Sequence, residues 1–489
     1  MKKVILIYPR LQDTIEEKAF LPLSLLCIAA PLKDINVKII DQRVDQDWEK
    51  ELLDSLNEDV VCVGINSITG PQLKPAIDIS KTVKKKINVP VVWGGVHASL
   101  LPRQTLENEF VDIVVIDEGD LTFHELVNCL INNKNLASVR GIGYKQNNSI
   151  IFTDQRELLD MDSLFPVPYS LVKDIDRYIG IKNEELYKRS LPLQTSRGCP
   201  YRCVFCYNAA FNKKRWRAKD SAKVIAEINE IVEKYKINGL FLLDDNFFVD
   251  FKRAKEIFRG IKKLPVELYN LTVRADTFSR FDDELIGLMD EIGVKSIYIG
   301  VESGSEEILK KLNKDITLDE VFISNQKIKK TKIKPVYSFM VGFPFEKESD
   351  RRKTLKLIYL LKKQNKSALF GFNILNPYPS NIMQDCIKRG FNYPEKTEDW
   401  ASDWSNVQLP WISCRQMKKF RRIAFSISLL YDPSDFKNPG KKLFANFLLT
   451  LSLFRIKFNF FSLYFEDKLF SLYRRLKGKN LSENEQNSL

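Results

Sequence analysis

The stretch that decides the fold is TSRGCPYRCVFCYN, residues 195–208. It places Cys199, Cys203 and Cys206 in the pattern C-x3-C-x2-C. Three thiolates at this spacing can hold one side of a [4Fe–4S] cluster and leave its fourth iron without a protein ligand. Such an iron is free to bind and reduce a small molecule. The stretch therefore predicts a cluster site with one open iron.

Three other interpretations of these cysteines are weaker. A zinc site needs four nitrogen or sulfur ligands and usually pairs two C-x2-C units, but the sequence has no second C-x2-C and no histidine nearby. A disulfide scaffold is disfavoured because only eight cysteines occur in 489 residues and no signal peptide precedes them, which favours a cytoplasmic protein. Ordinary buried cysteines would be scattered, as the remaining five are: Cys27, Cys62, Cys129, Cys386 and Cys414.

The composition predicts a globular protein of two or three domains, with 44% hydrophobic and 28% charged residues. The net charge of +13 is uneven, since residues 441–479 carry nine Lys or Arg against only Glu466 and Asp467. Such a balance suits an anionic cofactor, nucleic acid or an anionic membrane surface. No apolar run reaches the roughly 18 residues that a membrane-spanning helix needs.

The first 130 residues alternate short apolar runs with helical patterns, which predicts an α/β domain with a doubly wound, Rossmann-like parallel sheet. We expect its ligand beyond the carboxyl ends of the strands, and we place this domain at residues 1–140. The predicted strands are 2–9, 37–42, 59–67, 89–95 and 112–117, and the helices are 22–34, 46–57, 72–87 and 120–133. A small hairpin is predicted over 140–154, with Asn147 and Asn148 at its turn, within a linker at 141–190.

A second alternation predicts a partial (β/α)6 barrel of the TIM type over residues 191–395, with the cysteine loop at its catalytic mouth. The predicted strands are 191–196, 239–245, 267–276, 296–303, 335–343 and 369–377. The predicted helices are 220–235, 251–261, 282–292, 305–312, 318–330 and 349–365. Residues 396–489 are predicted to form a mainly helical C-terminal region with a basic, aromatic tail.

The barrel resembles the radical S-adenosylmethionine (SAM) enzymes over about 200 residues. Beyond the cysteines, the resemblance rests on LLDDNFF (242–248), TVRADT (272–277), IGVESGSEEILKKLNK (299–314), VGFPFEKE (341–348) and NPYPSN (376–381). It implies that the cysteines hold a [4Fe–4S] cluster and that SAM chelates the open iron and is cleaved to a radical that takes hydrogen from unactivated carbon. The residues that it implies at SAM are Phe205, Asp244, Asp245, Arg274, Glu302, Ser303 and Gly342.

Some of these residues also have a plainer interpretation. Phe205 suits a hydrophobic core, one of the two aspartates suits a helix N-cap, and Arg274 suits a structural salt bridge. One position departs from the family's pattern, because Phe345 stands where a glycine is expected.

The first domain resembles the cobalamin-binding domain that precedes the barrel in one large radical SAM subfamily, which includes methyltransferases and the anaerobic magnesium-protoporphyrin monomethyl ester cyclase. The resemblance rests on INSITG (65–70), WGGVHAS (93–99) and VDIVVIDEGDLTFHEL (111–126). It implies cobalamin contacts by Ser67, Thr69, Gly94, Gly95, His97, Glu118 and Gly119. The D-x-H-x-x-G loop that supplies a histidine to cobalt in many such domains is absent, and His124 fits a structural role on a helix.

Together these resemblances imply a cobalamin-dependent radical SAM enzyme that methylates an unactivated carbon of a small-molecule or lipid-linked substrate. A one-electron reductant of the flavodoxin or ferredoxin type is the implied partner. Cyclisation or oxidative rearrangement without methyl transfer is the alternative outcome. A methylthiotransferase acting on tRNA is weaker, since no RNA-binding barrel is apparent, and a non-catalytic binding protein conflicts with the intact cysteine triad.

The aromatic residues of the C-terminal region leave two interpretations open. Residues 443–454 fit helices that pack on the barrel, whereas 455–479 equally fit an amphipathic segment at the inner face of an anionic membrane. Residues 480–489 are predicted to be disordered. Trp400, Trp404 and Trp411 suit either core packing or the wall of a substrate cavity.

Overall fold

The computed structural model describes residues 1–12, 15–16, 19–180, 189–269, 271–402, 407–432 and 438–462. A seven-stranded sheet opens the chain, in the order β2-β1-β3-β4-β5-β6-β7. The first five strands pair in parallel, as predicted, and the last two run antiparallel. The strands are β1 (Lys3–Tyr8), β2 (Asn36–Asp41), β3 (Val60–Asn66), β4 (Val91–Gly94), β5 (Ile113–Val115), β6 (Ile142–Gln146) and β7 (Ser149–Phe152).

Helices pack on both faces of this sheet. Four consecutive residues of β1, from Val4 to Ile7, are fully buried, as expected of a parallel strand covered on both sides. Two short helices, α4 and α5, were not predicted, because neither is long enough to show a repeating apolar face. The helices are α1 (Leu23–Ala29), α2 (Trp48–Ser55), α3 (Leu73–Lys86), α4 (Val96–Leu100), α5 (Pro102–Glu107) and α6 (Gly119–Ile131).

The predicted hairpin is confirmed as β6 and β7. Asn147 and Asn148 at its turn have φ values of +49° and +60°, as a two-residue type I′ turn requires. Because β6 pairs with β5, the hairpin lies at the edge of the first sheet, which therefore extends past residue 140.

The second alternation forms two parallel sheets, in the orders β12-β11-β8 and β13-β14-β15-β16, which together make the predicted partial barrel. The third predicted strand is split between them as β12 and β13, with Asn270 outside the described residues. A short antiparallel pair, β9 with β10, follows β8. The strands are β8 (Ser190–Leu193), β9 (Ser196–Arg197), β10 (Arg217–Ala218), β11 (Gly239–Leu242), β12 (Glu267–Tyr269), β13 (Leu271–Arg274), β14 (Ser296–Glu302), β15 (Lys334–Val341) and β16 (Leu369–Ile374).

Each predicted barrel helix is present. The helices are α7 (Asn208–Phe211), α8 (Ser221–Tyr235), α9 (Phe251–Ile261), α10 (Ala275–Ser279), α11 (Asp283–Glu291), α12 (Glu306–Lys311), α13 (Leu318–Ile328) and α14 (Glu348–Gln364). Short 3-10 helices lie at Leu136–Ser138, Met161–Ser163, Tyr169–Leu171, Ile175–Arg177, Phe247–Val249 and Thr397–Ala401.

The C-terminal region is mainly helical, as predicted. It contains α15 (Met383–Lys388), α16 (Cys414–Ser428) and α17 (Pro439–Phe458). Helix α16 packs on β16, and α17 packs on α14 and α16. None of the described helices combines the length and apolar composition needed to cross a membrane. From residue 463 onward the predicted tail, including most of 455–479 and all of 480–489, lies outside the described residues.

A shared apolar core joins the first sheet to the barrel. One cluster of buried side chains includes Val63 and Trp93 of the first sheet, Leu312 and Phe343 of the barrel, and Trp400. The Trp400 indole is fully buried and donates to Gln104 Oε1 at 2.7 Å, so core packing is its role. Trp404 lies outside the described residues.

Candidate active site

The cysteine loop begins where β8 ends and is held in place by Asp244, which follows β11. The buried Asp244 carboxylate accepts hydrogen bonds from the Thr195 backbone N–H at 2.7 Å, the Thr195 hydroxyl at 2.5 Å and the Ser196 hydroxyl at 2.6 Å. Both of its oxygens are therefore engaged by the strand end that precedes the cysteines. Burial raises the pKa of Asp244, and these donors oppose that effect.

The next residue, Asp245, contacts a later part of the cysteine loop. It accepts from the Gly198 N–H at 2.8 Å and from the Tyr207 hydroxyl at 3.0 Å, so it brackets the loop from both sides. Gly198 has φ of +85°, and a Cβ there would lie 1.9 Å from the Arg215 carbonyl oxygen. Only glycine fits this position. The adjacent carboxylates of Asp244 and Asp245 thus accept from different donors.

The three thiols are half-buried and unpaired. Asn246 Nδ2 lies 3.7 Å from Cys199 Sγ, and Arg274 Nη1 lies 3.5 Å from Cys203 Sγ. Burial raises the pKa of the Cys199 thiol and raises that of Cys206 to about 11. The thiolate state therefore needs a positive ligand, and N–H donors to sulfur are typical of iron–sulfur sites.

This donor set fits a [4Fe–4S] cluster, in which each thiolate binds a different iron. Within the described residues, no three His, Cys, Asp or Glu side chains converge closely enough to hold a single metal ion.

Arg274, at the end of β13, stands beside the cysteine loop. Its guanidinium donates to Asp276 at 2.9 Å and to the Lys314 carbonyl oxygen, and it lies 3.6 Å from the centre of the Tyr201 ring. The structure thus places this predicted SAM residue against Cys203, and it adds Tyr201, Asp276 and Lys314 as neighbours that the sequence analysis missed.

Glu302 ends β14 in a left-handed conformation, with φ of +73°. Its carboxylate accepts from Lys314 Nζ at 2.9 Å, and both side chains are buried. Ser303 is also buried but faces α14, where its hydroxyl lies 3.3 Å from the Thr354 hydroxyl and accepts from the Ser305 N–H at 3.1 Å. Of these two residues predicted at SAM, Glu302 is beside the barrel mouth, whereas Ser303 anchors the loop.

Gly342 ends β15 with φ of +91°. Its N–H donates to Glu346 Oε2 at 2.7 Å, and its carbonyl accepts from the Trp411 indole at 3.0 Å. Glu346 is buried, and its Oε1 has no partner in the described part of the chain. Burial raises the pKa of Glu346 to about 7, although the Gly342 N–H and Arg351 oppose that shift.

The aromatic side chains of this end of the barrel form a stack. Phe345, which stands where the family has glycine, lies parallel to Phe343 at a centroid distance of 5.9 Å. Phe205 of the cysteine loop contacts the other side of the group, 6.4 Å from Phe343. Phe345 thus adds apolar packing at a position where glycine would give the backbone conformational freedom.

A cavity of about 510 Å³ lies between the carboxyl edge of the first sheet and the cysteine loop. From the sheet it is lined by residues that include Asn66, Gly94, Gly95, Glu118 and Gly119, and from the barrel by residues that include Arg197, Tyr207, Leu243 and Asp245. Its position is the one that the strand order predicts for a ligand.

The cavity wall has the form of a cradle at its glycines. A Cβ on Gly94 would meet only Val115, at 3.8 Å, so this face is open. Gly95 has φ of +103°, and a Cβ there would lie 2.7 Å from the Ser67 carbonyl oxygen. Absence of a side chain at Gly94 lets backbone approach a large flat ligand, whereas Gly95 is required by its positive φ and by the close Ser67 carbonyl. The residues present therefore fit cobalamin.

Three of the residues predicted at cobalamin lie behind this wall. Ser67 donates to the Gly94 carbonyl at 2.9 Å, and Thr69 is bonded to His97 Nδ1 at 3.0 Å. His97 is fully buried, against Trp400, and burial lowers its pKa to about 3. His97 thus lies in the core beside Trp400 and is not among the residues that line the cavity.

An ion-pair group joins the cavity's two sides. Arg197, two residues before Cys199, reaches Asp120 at 2.9 Å and Glu118 at 3.1 Å, and Arg217 reaches Glu118 at 2.8 Å. Burial would lower the pKa of Arg197, but Asp120 and Glu118 raise it well above its usual value. We call these four residues the bridging ion pairs. Sequence analysis named Glu118 as a cobalamin residue but missed its ion pairs, since the partners are far apart along the chain.

Comparisons with known proteins agree with this architecture. Residues 193–358 match the radical SAM superfamily, and residues 18–127 match the B12 binding domain. An uncharacterised methyltransferase of Pyrococcus horikoshii is 30% identical over 391 residues, which cover 77% of this chain and 81% of the relative.

Two further comparisons concern an enzyme of named activity and a solved structure. The anaerobic magnesium-protoporphyrin IX monomethyl ester cyclase of Rubrivivax gelatinosus is 24% identical over 361 residues, covering 72% of this chain and 62% of the cyclase. The cobalamin-dependent S-adenosylmethionine radical enzyme OxsB, solved with aqua-cobalamin and S-adenosylmethionine bound, has the same fold. It superimposes with a TM-score of 0.72 at 18% identity, over 98% of this chain and 75% of OxsB.

Proposed function

This chain belongs to the radical SAM superfamily and carries a B12 binding domain, and from that premise we propose that it is a C-methyltransferase. Its cofactors are a [4Fe–4S] cluster, SAM and cobalamin. When bound, the cluster would supply the electron that cleaves one SAM for hydrogen removal, and cobalamin would carry the methyl group of a second SAM. Each methylation therefore consumes two SAM and two electrons.

The observation that carries the proposal is the cavity that borders both the sheet edge and the cysteine loop. A reaction that combines two cofactors needs them to face one enclosed space, because a reactive intermediate must meet the substrate before it meets water. Tyr207 and Asp245 wall this space on the barrel side, and Gly94 and Gly95 on the sheet side.

We assign the residues as follows. Cys199, Cys203 and Cys206 hold the cluster. Phe205, Asp245, Arg274, Glu302 and Gly342 position SAM, while Asp244 and Ser303 keep the loops in place through the bonds described above. Gly94, Gly95, Glu118 and Gly119 face cobalamin, and Ser67, Thr69 and His97 support the wall behind them.

The internal partners of the SAM residues have a role of their own. Lys314 neutralises Glu302, and Asp276 neutralises Arg274, so these two charges are compensated before a ligand arrives. A pre-arranged polar site loses little free energy to reorganisation when its ligand binds. These partners are positioning residues.

We further propose the domain limits 1–140 for cobalamin, 141–190 for the linker and the hairpin that extends the sheet of the first domain, 191–395 for the radical SAM barrel and 396–489 for the C-terminal region. The substrate is a small or lipid-linked molecule. SAM cleavage needs one electron at a time, which favours a donor of the flavodoxin or ferredoxin type.

The test is anaerobic reconstitution with iron, sulfide and cobalamin, followed by metal analysis and incubation with methyl-deuterated SAM and a one-electron reductant. We expect about four irons, stoichiometric cobalt, 5′-deoxyadenosine and deuterated methylcobalamin. The readout needs no substrate. Protein that takes up iron without cobalt would overturn the assignment of the first domain.

The second candidate is a cyclisation or oxidative rearrangement without methyl transfer, which the similarity to the cyclase favours. The same incubation separates the two. Formation of 5′-deoxyadenosine with unlabelled cobalamin would favour this candidate, whereas the deuterated methyl group on cobalamin favours methyl transfer.

A further inference from the structure

Helix α17 carries an apolar stripe on its outer face. Leu443 is 74% exposed, and Phe447, Phe454 and Phe458 are 50–57% exposed. Their spacings of four, seven and four residues put all four side chains on one side of an α-helix, over about 22 Å of its axis. We call these four residues the outer stripe. Large apolar side chains clustered in this way on a surface mark an interaction site.

The opposite face of α17 holds the helix firmly to the protein. Ala445, Leu448, Ser452 and Ile456 are buried against α14 and α16. Arg455 is buried too, and it donates to the carbonyl oxygens of Phe460 and Ser462, at 3.0 Å each. The outer stripe therefore lies on the solvent-facing side of a helix whose other side is packed against the protein.

The charge around the stripe has one sign. No Asp or Glu occurs from Pro439 to Phe458, while Lys441 and Lys442 are exposed at one end and Lys457 at the other. The Lys457 ammonium lies 5.0 Å from the centre of the Phe458 ring. An apolar stripe with lysines at both ends suits a surface that is apolar within and anionic outside.

We propose that the outer stripe docks this protein on the surface of an anionic lipid bilayer, with α17 parallel to the membrane plane. Phenyl and leucyl side chains enter the acyl boundary, and the flanking lysines meet the lipid headgroups. The inference goes beyond the proposed function and does not rest on it.

Charge also disfavours the other molecules or segments that could cover the outer stripe. A second copy docked stripe to stripe would set lysines against lysines, because a two-fold contact pairs each surface with itself. The chain's own continuation, residues 463–479, holds five Lys or Arg against Glu466 and Asp467, so it too brings like charge. Nucleic acid would meet the lysines but leave the stripe exposed to water.

The test is co-sedimentation of the full chain with vesicles of phosphatidylcholine alone or mixed with phosphatidylglycerol. We expect binding to the mixed vesicles only, weakened by salt. Joint Phe447→Ser and Phe454→Ser substitution should lower the partition coefficient by at least about ten-fold, since each removes one inserted phenyl group. Joint Lys441→Glu and Lys442→Glu substitution should lower it on mixed vesicles as well.

The matched control is joint Ile323→Ser and Leu360→Ser substitution, because these side chains are exposed by 43% and 38% on other helices. It should bind like the unaltered chain, and all variants should share one thermal midpoint. Equal binding by the Phe447/Phe454 variant would overturn the proposal. Absence of binding to mixed vesicles would also overturn it. A dimer, detected by light scattering, that the Phe447/Phe454 substitution dissociates and the other substitutions do not would overturn it as well. An RNA complex that is lost in the lysine variant, without vesicle binding, would overturn it in favour of nucleic acid.

Discussion

The barrel mouth and the edge of the first sheet build their halves of the site in opposite ways. At the barrel mouth the chemistry is in side chains, and those side chains already hold one another: Asp244 holds the cysteine loop, Arg274 holds Asp276, and Glu302 holds Lys314. At the sheet edge the contribution is space, left by Gly94 and its neighbours. The difference indicates that the barrel is built to fix a small charged ligand and the sheet to admit a large one.

The largest effect should come from the cysteines. Cys203→Ala removes one of three thiolates, and the cluster cannot be held by two. We expect iron to fall from about four per chain to near zero and SAM cleavage to fall below detection, while cobalt binding persists. Cys414→Ser, at an exposed cysteine, is the control and should leave both metals unchanged. Parallel loss of cobalt would break the comparison, because the two halves would then depend on each other.

Gly94→Leu probes the sheet edge in the converse way. The added side chain would enter the cavity, since only Val115 lies near the Cβ position. We expect cobalamin affinity to fall at least about ten-fold through lost space, with iron retained and the thermal midpoint little changed. Gly287→Leu, at a glycine with open surroundings, serves as the control. Undiminished cobalamin binding by Gly94→Leu would place the ligand elsewhere.

Much of this division is visible in the sequence. The apolar runs and their turn residues predict the strands, and strand ends of parallel sheets carry the ligand sites, so the cysteine loop and Gly94 could both be found. Helices α4 and α5 are too short to leave a periodic pattern. His97 follows the glycines, so the sequence suggests that it contacts the ligand. Because it is the second residue of α4, its ring points into the core beside Trp400.

The ion-pair partners of the site residues are harder to predict from the sequence. Lys314 lies on a loop 12 residues beyond Glu302, and Asp120 lies 77 residues before Arg197. The first pair depends on how a loop of the barrel folds back on a strand end, and the second on how the two domains pack. Spacing along the chain encodes neither. Local motifs therefore name the residues that touch a ligand more readily than those that hold them.

The bridging ion pairs test whether the two halves are mechanically joined. Arg197→Gln leaves Asp120 buried without its bidentate partner, and breaking a buried pair from one side typically costs about 3–5 kcal/mol. We expect a lower thermal midpoint and, after reconstitution, a change in the cobalamin absorption spectrum with iron content retained. Arg259→Gln, whose pair with Glu284 is exposed, should cost less than about 1 kcal/mol. Equal midpoints for the two variants would show that the domains are joined by the apolar core alone.

The smallest effect should come from Glu346, a barrel-mouth carboxylate whose Oε1 has no partner among the described residues. Burial raises its pKa to about 7 in the folded chain. A raised carboxyl pKa means that the folded state holds its proton more tightly, so stability falls as pH rises from the unfolded value, near 4.3, through about 7. The loss amounts to at most about 4 kcal/mol above pH 7.

Glu346→Gln mimics the protonated form and removes that loss. The variant should match the unaltered chain at pH 4 and have a higher thermal midpoint at pH 8. Glu307→Gln, at an exposed carboxylate paired with Lys311, should show no such gain at pH 8. An equal midpoint for Glu346→Gln and the unaltered chain at both pH values would mean that Arg351, at 3.4 Å, keeps the carboxylate ionised. The barrel mouth would then be balanced throughout, and its contrast with the open sheet edge would be complete.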